Sequence, residues 1–143
     1  MKITYNWLKK FVDIRVSPQR LAEDLTMAGL EVVALEKYGA DFVLEIEITS
    51  NRPDWLSILG VSREVSAIYG LKLKAAGFSG PKLKSSGPLP VKISVASQKD
   101  CPFYSARIIS GVQVAASPAW LKESLEALGC RSVNNIVDIT NYY

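Results

Sequence analysis

The sequence predicts an α+β fold in two units. Three observations carry that prediction: helices with recognisable start and stop residues, a pair of period-two strands joined by a short glycine-containing connection, and a Gly/Ser/Pro/Lys-rich stretch between them and a later run of elements. Residues 1–70 are expected to form a small helix-and-hairpin unit, 71–90 a linker, and 91–143 the beginning of a second α+β unit.

The first helix is marked by Trp7, Leu8, Phe11 and Val12, which fall on one face at helical spacing. Ser17-Pro18 opens a second one as N-cap and first-turn proline, Leu21 and Leu25 repeat on its buried side, and Gly29 stands where a left-handed residue ends a helix. From Leu30 to Glu36 the residues are apolar and β-branched, and Phe42, Leu44, Ile46 and Ile48 alternate with Val43, Glu45, Glu47 and Thr49, so two strands with one wet face are expected. The connection from Lys37 to Asp41 is short enough to make them an antiparallel hairpin.

Within SNRPDWLSILGVSREVSAIYG, Pro53 keeps Arg52 out of helical geometry, Asp54 is placed to cap a helix carrying Leu56, Leu59, Val65 and Ile68, and Gly70 stops it. A unit of this size buries only about 60 % of its unfolded surface, so it is expected to pack on something further. After the linker, Val91, Ile93 and Val95 predict one strand and Tyr104 to Val114 a second. Ser117-Pro118 then starts a helix with Leu121, Leu125 and Leu128 inside and Gly129 as its stop. In the last segment Val133, Ile136, Val137 and Thr140 share the expected inner face of a helix, with Asn134, Asp138 and Asn141 opposite. No stop residue precedes Tyr143, so the natural protein is expected to continue.

Composition removes several chemistries. There is no histidine, which excludes Ser-His-Asp and Cys-His catalysis, and Cys101 and Cys130 lack zinc-site spacing and are expected to be small buried apolar groups. No Gly-rich phosphate loop or metal-carboxylate motif is present. No apolar run reaches membrane-spanning length and the start is not a signal peptide, so a cytoplasmic location is expected. The net charge of +3 is concentrated in residues 71–100, with six Lys/Arg against one Asp/Glu, whereas residues 1–70 carry eight against ten. Lysines among glycine, serine and proline read as a solvated linker, with a phosphate-tracking patch as the alternative.

Two stretches carry a resemblance: TMAGLEV followed by EIEITSNRPDWLSILGVSREVSAIYG, and CPFYSARIISGV followed by SPAWLKESLEALGCRSVNNIVDITNYY. Their order and spacing resemble the N-terminal region of bacterial phenylalanyl-tRNA synthetase β subunits, the second stretch resembling the opening of the editing domain (a B3/4-like unit). The resemblance implies an α2β2 enzyme with a separate α subunit, attaching phenylalanine to tRNA(Phe) with ATP and Mg2+. The present segment would be non-catalytic, and the active site would lie on the other subunit. In that family an oligonucleotide-binding barrel that handles tRNA is normally inserted after Glu-Val; here only Val33 to Leu44 fill the gap, so the barrel is missing.

Asn51, Arg52, Pro53 and Asp54 form a turn at a helix start, where Arg52 could hold a phosphate or a partner carboxylate, or pair locally with Glu45, Glu47 or Asp54. The resemblance implies a structural turn there, with an interface role open. Thr140 matches the threonine of the family's editing pocket, which recognises a mischarged tyrosyl group; the plainer reading is a hydroxyl bonded back to the Ile136 carbonyl. The family's pocket histidine and glutamate would lie downstream of Tyr143, so the segment alone is not expected to edit. Two other readings are a free-standing deacylase of mischarged tRNA and a small helix-and-wing nucleic-acid module in residues 1–70, which the acidic balance there disfavours.

Overall fold

The computed structural model of the chain describes residues 1–74 and 91–143. These fall into two compact units, 1–74 together with 115–143, and 91–114. The expected linker lies outside the described residues from position 75 onward. Its first residues are not free, since Leu73 bridges to Val12 and the Lys74 amide donates to the Phe11 carbonyl at 2.6 Å.

The first unit begins with a strand the sequence reading left unassigned, β1 (Lys2–Thr4), followed at once by α1 (Tyr5–Lys9). Thr4 serves both elements: it pairs with Val43 in the sheet, and its hydroxyl accepts the Trp7 amide as the cap of α1. Helix α2 (Pro18–Met27) has the predicted ends, with the Ser17 hydroxyl accepting the Arg20 amide and Gly29 at φ +94°. Strands β2 (Val32–Tyr38) and β3 (Asp41–Ile46) form the expected antiparallel hairpin, turning directly through Gly39-Ala40. No domain is inserted between them. The sheet has order β1-β3-β2 and is antiparallel throughout, with Leu44 of β3 opposite Ile3 on one side and Leu35 on the other.

Helices α1, α2 and α3 (Ile58–Tyr69) close over the sheet around Ile3, Leu8, Leu21, Leu25, Leu44, Ile46, Val61 and Val65, all fully buried. The predicted stop of α3 is present in the left-handed Gly70, at φ +61°. Its predicted start is not. The cap is Ser57, whose hydroxyl accepts the Gly60 amide at 3.0 Å, while Pro53–Trp55 makes a separate 3-10 turn and Leu56 stays exposed. Asp54 is drawn away from the capping role by Arg52.

Helices α4 (Ala119–Ala127) and α5 (Asn135–Tyr142) group with the sheet in the first compact unit. The Tyr142 ring stacks on Trp7 with centroids 4.4 Å apart and planes 12° off parallel, and Lys10 Nζ donates to the Tyr142 hydroxyl at 3.2 Å. Leu121 and Leu125 are buried as expected. Ser117 does not cap α4, because its hydroxyl is directed at Asp138.

In the second unit, the expected strands at 91–95 and 104–114 are absent: no described residue there joins a ladder, and Val91, Ile93, Ile108, Ile109, Val112 and Val114 are exposed. β-branched residues favour a strand only where a neighbour supplies hydrogen bonds and a face to pack on. The cysteines also differ from expectation, Cys101 being half-buried and Cys130 exposed just beyond the exit of α4.

Candidate functional site

The two places singled out by sequence, the Asn51–Asp54 turn and the Thr140 helix, are organised by different chemistry. At the turn, Arg52 sits at φ −122°, ψ 57°, outside the helical region that a following proline disfavours. Its guanidinium meets Asp54 through two bonds, Nε to Oδ1 at 3.0 Å and Nη2 to Oδ2 at 2.9 Å. Nη2 also reaches Glu64 Oε2 at 3.1 Å, and the same oxygen accepts the Trp55 indole N–H at 3.0 Å. The guanidinium lies flat on the Trp55 ring, 3.5 Å from its centroid, with the indole buried beneath.

Arg52 is thereby fixed from three sides. Its hydrogen bond to Asp54, then that to Glu64, raise its pKa, and the same Arg52 contact holds the Asp54 carboxyl below its usual range. Of the local partners expected from sequence, Asp54 is used; Glu45 pairs with Lys2 instead. Glu64, twelve residues on in α3, was not foreseen, because its role depends on α3 folding back beside the turn. Asn51 is exposed at the rim.

The approach of α3 to the turn is close enough to fix one residue type. A Cβ built on Gly60 would stand 1.9 Å from the Asp54 carbonyl oxygen, where no side chain fits.

Helix α5 is turned opposite to expectation. The inner face carries Asp138, which is fully buried, while Val133, Ile136, Val137 and Thr140 are exposed. The reversal has a direct cause, since the carboxylate is met by donors from two other segments. Ser117, just before α4, donates its hydroxyl to Oδ2; Ser132 donates to the same oxygen at 2.5 Å; the Val133 amide donates to Oδ1 at 2.9 Å. Those bonds, Ser117 first, hold the Asp138 carboxyl below its ordinary value against the opposing effect of desolvation. A buried carboxylate so supplied is tolerated where an unpaired one would not be.

Two asparagines complete the entrance to α5. The Asn134 side chain accepts the Ile136 and Val137 amides as the cap, and Asn135 grips Ala115 through both main-chain groups, its side chain accepting at 3.1 Å and its amide donating at 2.9 Å. Thr140 donates its hydroxyl to the Ile136 carbonyl at 3.0 Å, the local bond that threonine commonly makes in helices. Its proton is committed, and the residue is exposed.

Elsewhere, the shallow groove lined by Ala22, Glu23, Thr26, Met27 and Val32 holds no free polar group from Thr26, whose hydroxyl donates to Ala22 and accepts from Val32. Among the described residues no group of three or more His, Cys, Asp or Glu is arranged to hold a metal ion, and no helix is long and apolar enough to cross a membrane.

The family model for the B3/4 domain matches residues 100–143, the segment that contains α4 and α5. Over 142 residues, 99 % of the chain, the sequence is 39 % identical to the phenylalanine–tRNA ligase β subunit of Rhodopirellula baltica. The chain is a homologue of phenylalanine–tRNA ligase β subunits. The β subunit of Thermotoga maritima is 47 % identical over 114 residues, 79 % of the chain, and that of Thermosynechococcus vestitus 45 % over 104 residues, 71 % of the chain. The chain spans about a fifth of the Rhodopirellula β subunit, and its matches cover 14 % and 12 % of the other two.

Proposed function

We propose that this chain is a supporting segment of a phenylalanine–tRNA ligase β subunit, contributing the first part of its editing domain and none of the groups that activate the amino acid. The 39 % identity over 99 % of the chain is the observation that carries this reading. In it the whole enzyme, a cytoplasmic α2β2 assembly, joins phenylalanine to tRNA(Phe) using ATP and Mg2+ held elsewhere. At the two candidate places the carboxylates are engaged within the chain, Asp54 and Glu64 by Arg52, and Asp138 by two hydroxyls and an amide.

Residues 1–74 act in this reading as a rigid platform, with the Asn51–Asp54 turn as a structural clasp. The 91–143 region begins the editing domain. Thr140 stands beside Ile136 and Val137 on an open face, so a ligand would meet an apolar wall with one hydroxyl oxygen in it. With its proton given to Ile136, that oxygen acts only as an acceptor, suited to a phenolic O–H. A tyrosyl group carries such a donor and a phenylalanyl group does not. Because β2 turns directly into β3, tRNA is held by other parts of the enzyme and not by an inserted barrel.

The test is made in the assembled ligase containing this segment. Thr140→Val is expected to slow hydrolysis of Tyr-tRNA(Phe) by about tenfold, the loss of one hydrogen bond to a substrate hydroxyl. Pyrophosphate exchange with phenylalanine, measured on the same preparation, reports correct assembly. Deacylation at the unsubstituted rate would overturn the assignment of Thr140, and pyrophosphate exchange by residues 1–143 alone would overturn the supporting role.

A further inference from the structure

Thr140 does not hold its own position. Its one hydrogen bond is internal to α5, so its placement in space is set by whatever fixes the rotation of that helix. Three observations identify the fixing groups. Asp138 is the one wholly buried residue of α5. Its two carboxylate oxygens take donors from the residue before Pro118 and from the loop between α4 and α5. Asn135, three residues earlier on the same side, is bonded to both main-chain groups of Ala115.

We infer that Asp138 is a positioning residue for the editing face: by anchoring one side of α5 to Ser117, Ser132 and Val133, it fixes the direction in which Thr140 presents its oxygen. This rests on the assignment of Thr140 to the mischarged-tRNA pocket. Residues two apart on a helix lie about 200° apart around its axis, so a carboxylate locked inward commits Thr140 outward. The geometry is sensitive. An atom about 5 Å from the axis moves more than ~1 Å for a rotation of about 15°, and displacements of that size cost up to about 100-fold in rate when they fall on a reacting or recognising group.

Asn134 cannot do the same work, since its side chain satisfies the first amides of α5 without tying the helix to another segment. Ser117 and Ser132 can each swivel, and either hydroxyl can also accept. Asp138→Asn therefore keeps volume and a partner for every group, while removing the charge that draws the donors together.

The test follows deacylation of Tyr-tRNA(Phe) by the assembled ligase with Asp138→Asn, Thr140→Val and the double variant, alongside Ser132→Ala, which removes one donor from a loop and is the milder change. A positioning role predicts that Asp138→Asn lowers kcat about tenfold with KM within about twofold, and that Ser132→Ala lowers kcat about threefold. On the Thr140→Val background Asp138→Asn should add less than twofold, because its effect passes through Thr140. Full kcat in Asp138→Asn and Ser132→Ala, with Thr140→Val impaired, would overturn the inference and leave the Thr140 assignment standing. So would multiplicative losses in the double variant. An unimpaired Thr140→Val would instead remove the assignment, and the inference with it. Should Asp138→Asn fail to fold, the Ser132→Ala pair, with and without Thr140→Val, decides by the same criteria.

Discussion

Gly60 lies in the first turn of α3, a place where glycine is ordinarily a defect. Replacing a helical glycine by alanine is worth about 1 kcal/mol in favour of alanine when nothing else changes. Here the added methyl would stand 1.9 Å from the Asp54 carbonyl oxygen and 3.0 Å from its carbon. Ordinary contact requires the Asp54 peptide to retreat by more than an ångström. It cannot do so alone, because the Pro53–Trp55 turn carries the Asp54 carboxylate that holds Arg52 and the indole that donates to Glu64. Overpacking costs about 1–3 kcal/mol, and so close an approach to main chain falls in the upper part of that range, about 2–3 kcal/mol, which outweighs the helix gain. Gly60→Ala is thus expected to be about 1–2 kcal/mol less stable, read as a lower urea midpoint and a red-shifted emission from Trp55, which is buried in the parent. A Gly60→Ala protein as stable as the parent, or more so, would show that the turn and helix do not approach as described, and the clasp around Arg52 would fall with it.

Two further outcomes follow from particular contacts. Tyr142→Ala removes the ring stacked on Trp7 and the acceptor of Lys10, and is expected to cost about 1 kcal/mol with loss of near-ultraviolet ellipticity from the pair; an unchanged spectrum would separate α5 from α1. Acid should destabilise the chain in one direction only. Asp24, bonded first by Tyr69 and then by Arg20, Asp54, held by Arg52, and Asp138, held by Ser117, all have folded pKa values depressed below the ordinary 3.8. A depressed carboxyl contributes stability above its unfolded pKa and loses it as the pH falls through the folded value. The urea midpoint should be level down to about pH 5 and drop steadily below about pH 4, and a midpoint that holds or rises there would contradict these assignments.

What the sequence made legible was whatever is encoded within about ten residues. Ser17-Pro18, Leu21, Leu25 and Gly29 define α2 without reference to the rest of the chain, and the hairpin follows from alternation around Gly39. Elements that exist only through distant partners were not legible. Lys2–Thr4 is too short to be a strand by pattern, and becomes one by pairing with Val43 to Glu45. Conversely, 91–95 and 104–114 have strand composition but pair with nothing among the described residues. The start of α3 was misread because Asp54 and Ser57 both qualify as caps, and the choice is made by Arg52 and by the close contact at Gly60.

The rotation of α5 exposes a more general limit of periodicity. Spacing establishes which residues share a face, but which face turns inward depends on what meets it. Ile136 and Val137 would gain by burial, yet Asp138 has three donors waiting, contributed five, six and twenty-one residues before it by Val133, Ser132 and Ser117. Charge-assisted bonds of that kind are stronger than neutral ones and demand alignment, whereas apolar contact tolerates a range of angles. The same device occurs at the other helix entrance, where Glu64 reaches back from α3 to Arg52 and Trp55. In both cases a carboxylate inside a helix seizes the segment leading into a neighbouring helix or into its own. Asp138 and Glu64 thus set the directions of α5 and α3, and the apolar residues around Thr140 are left outside.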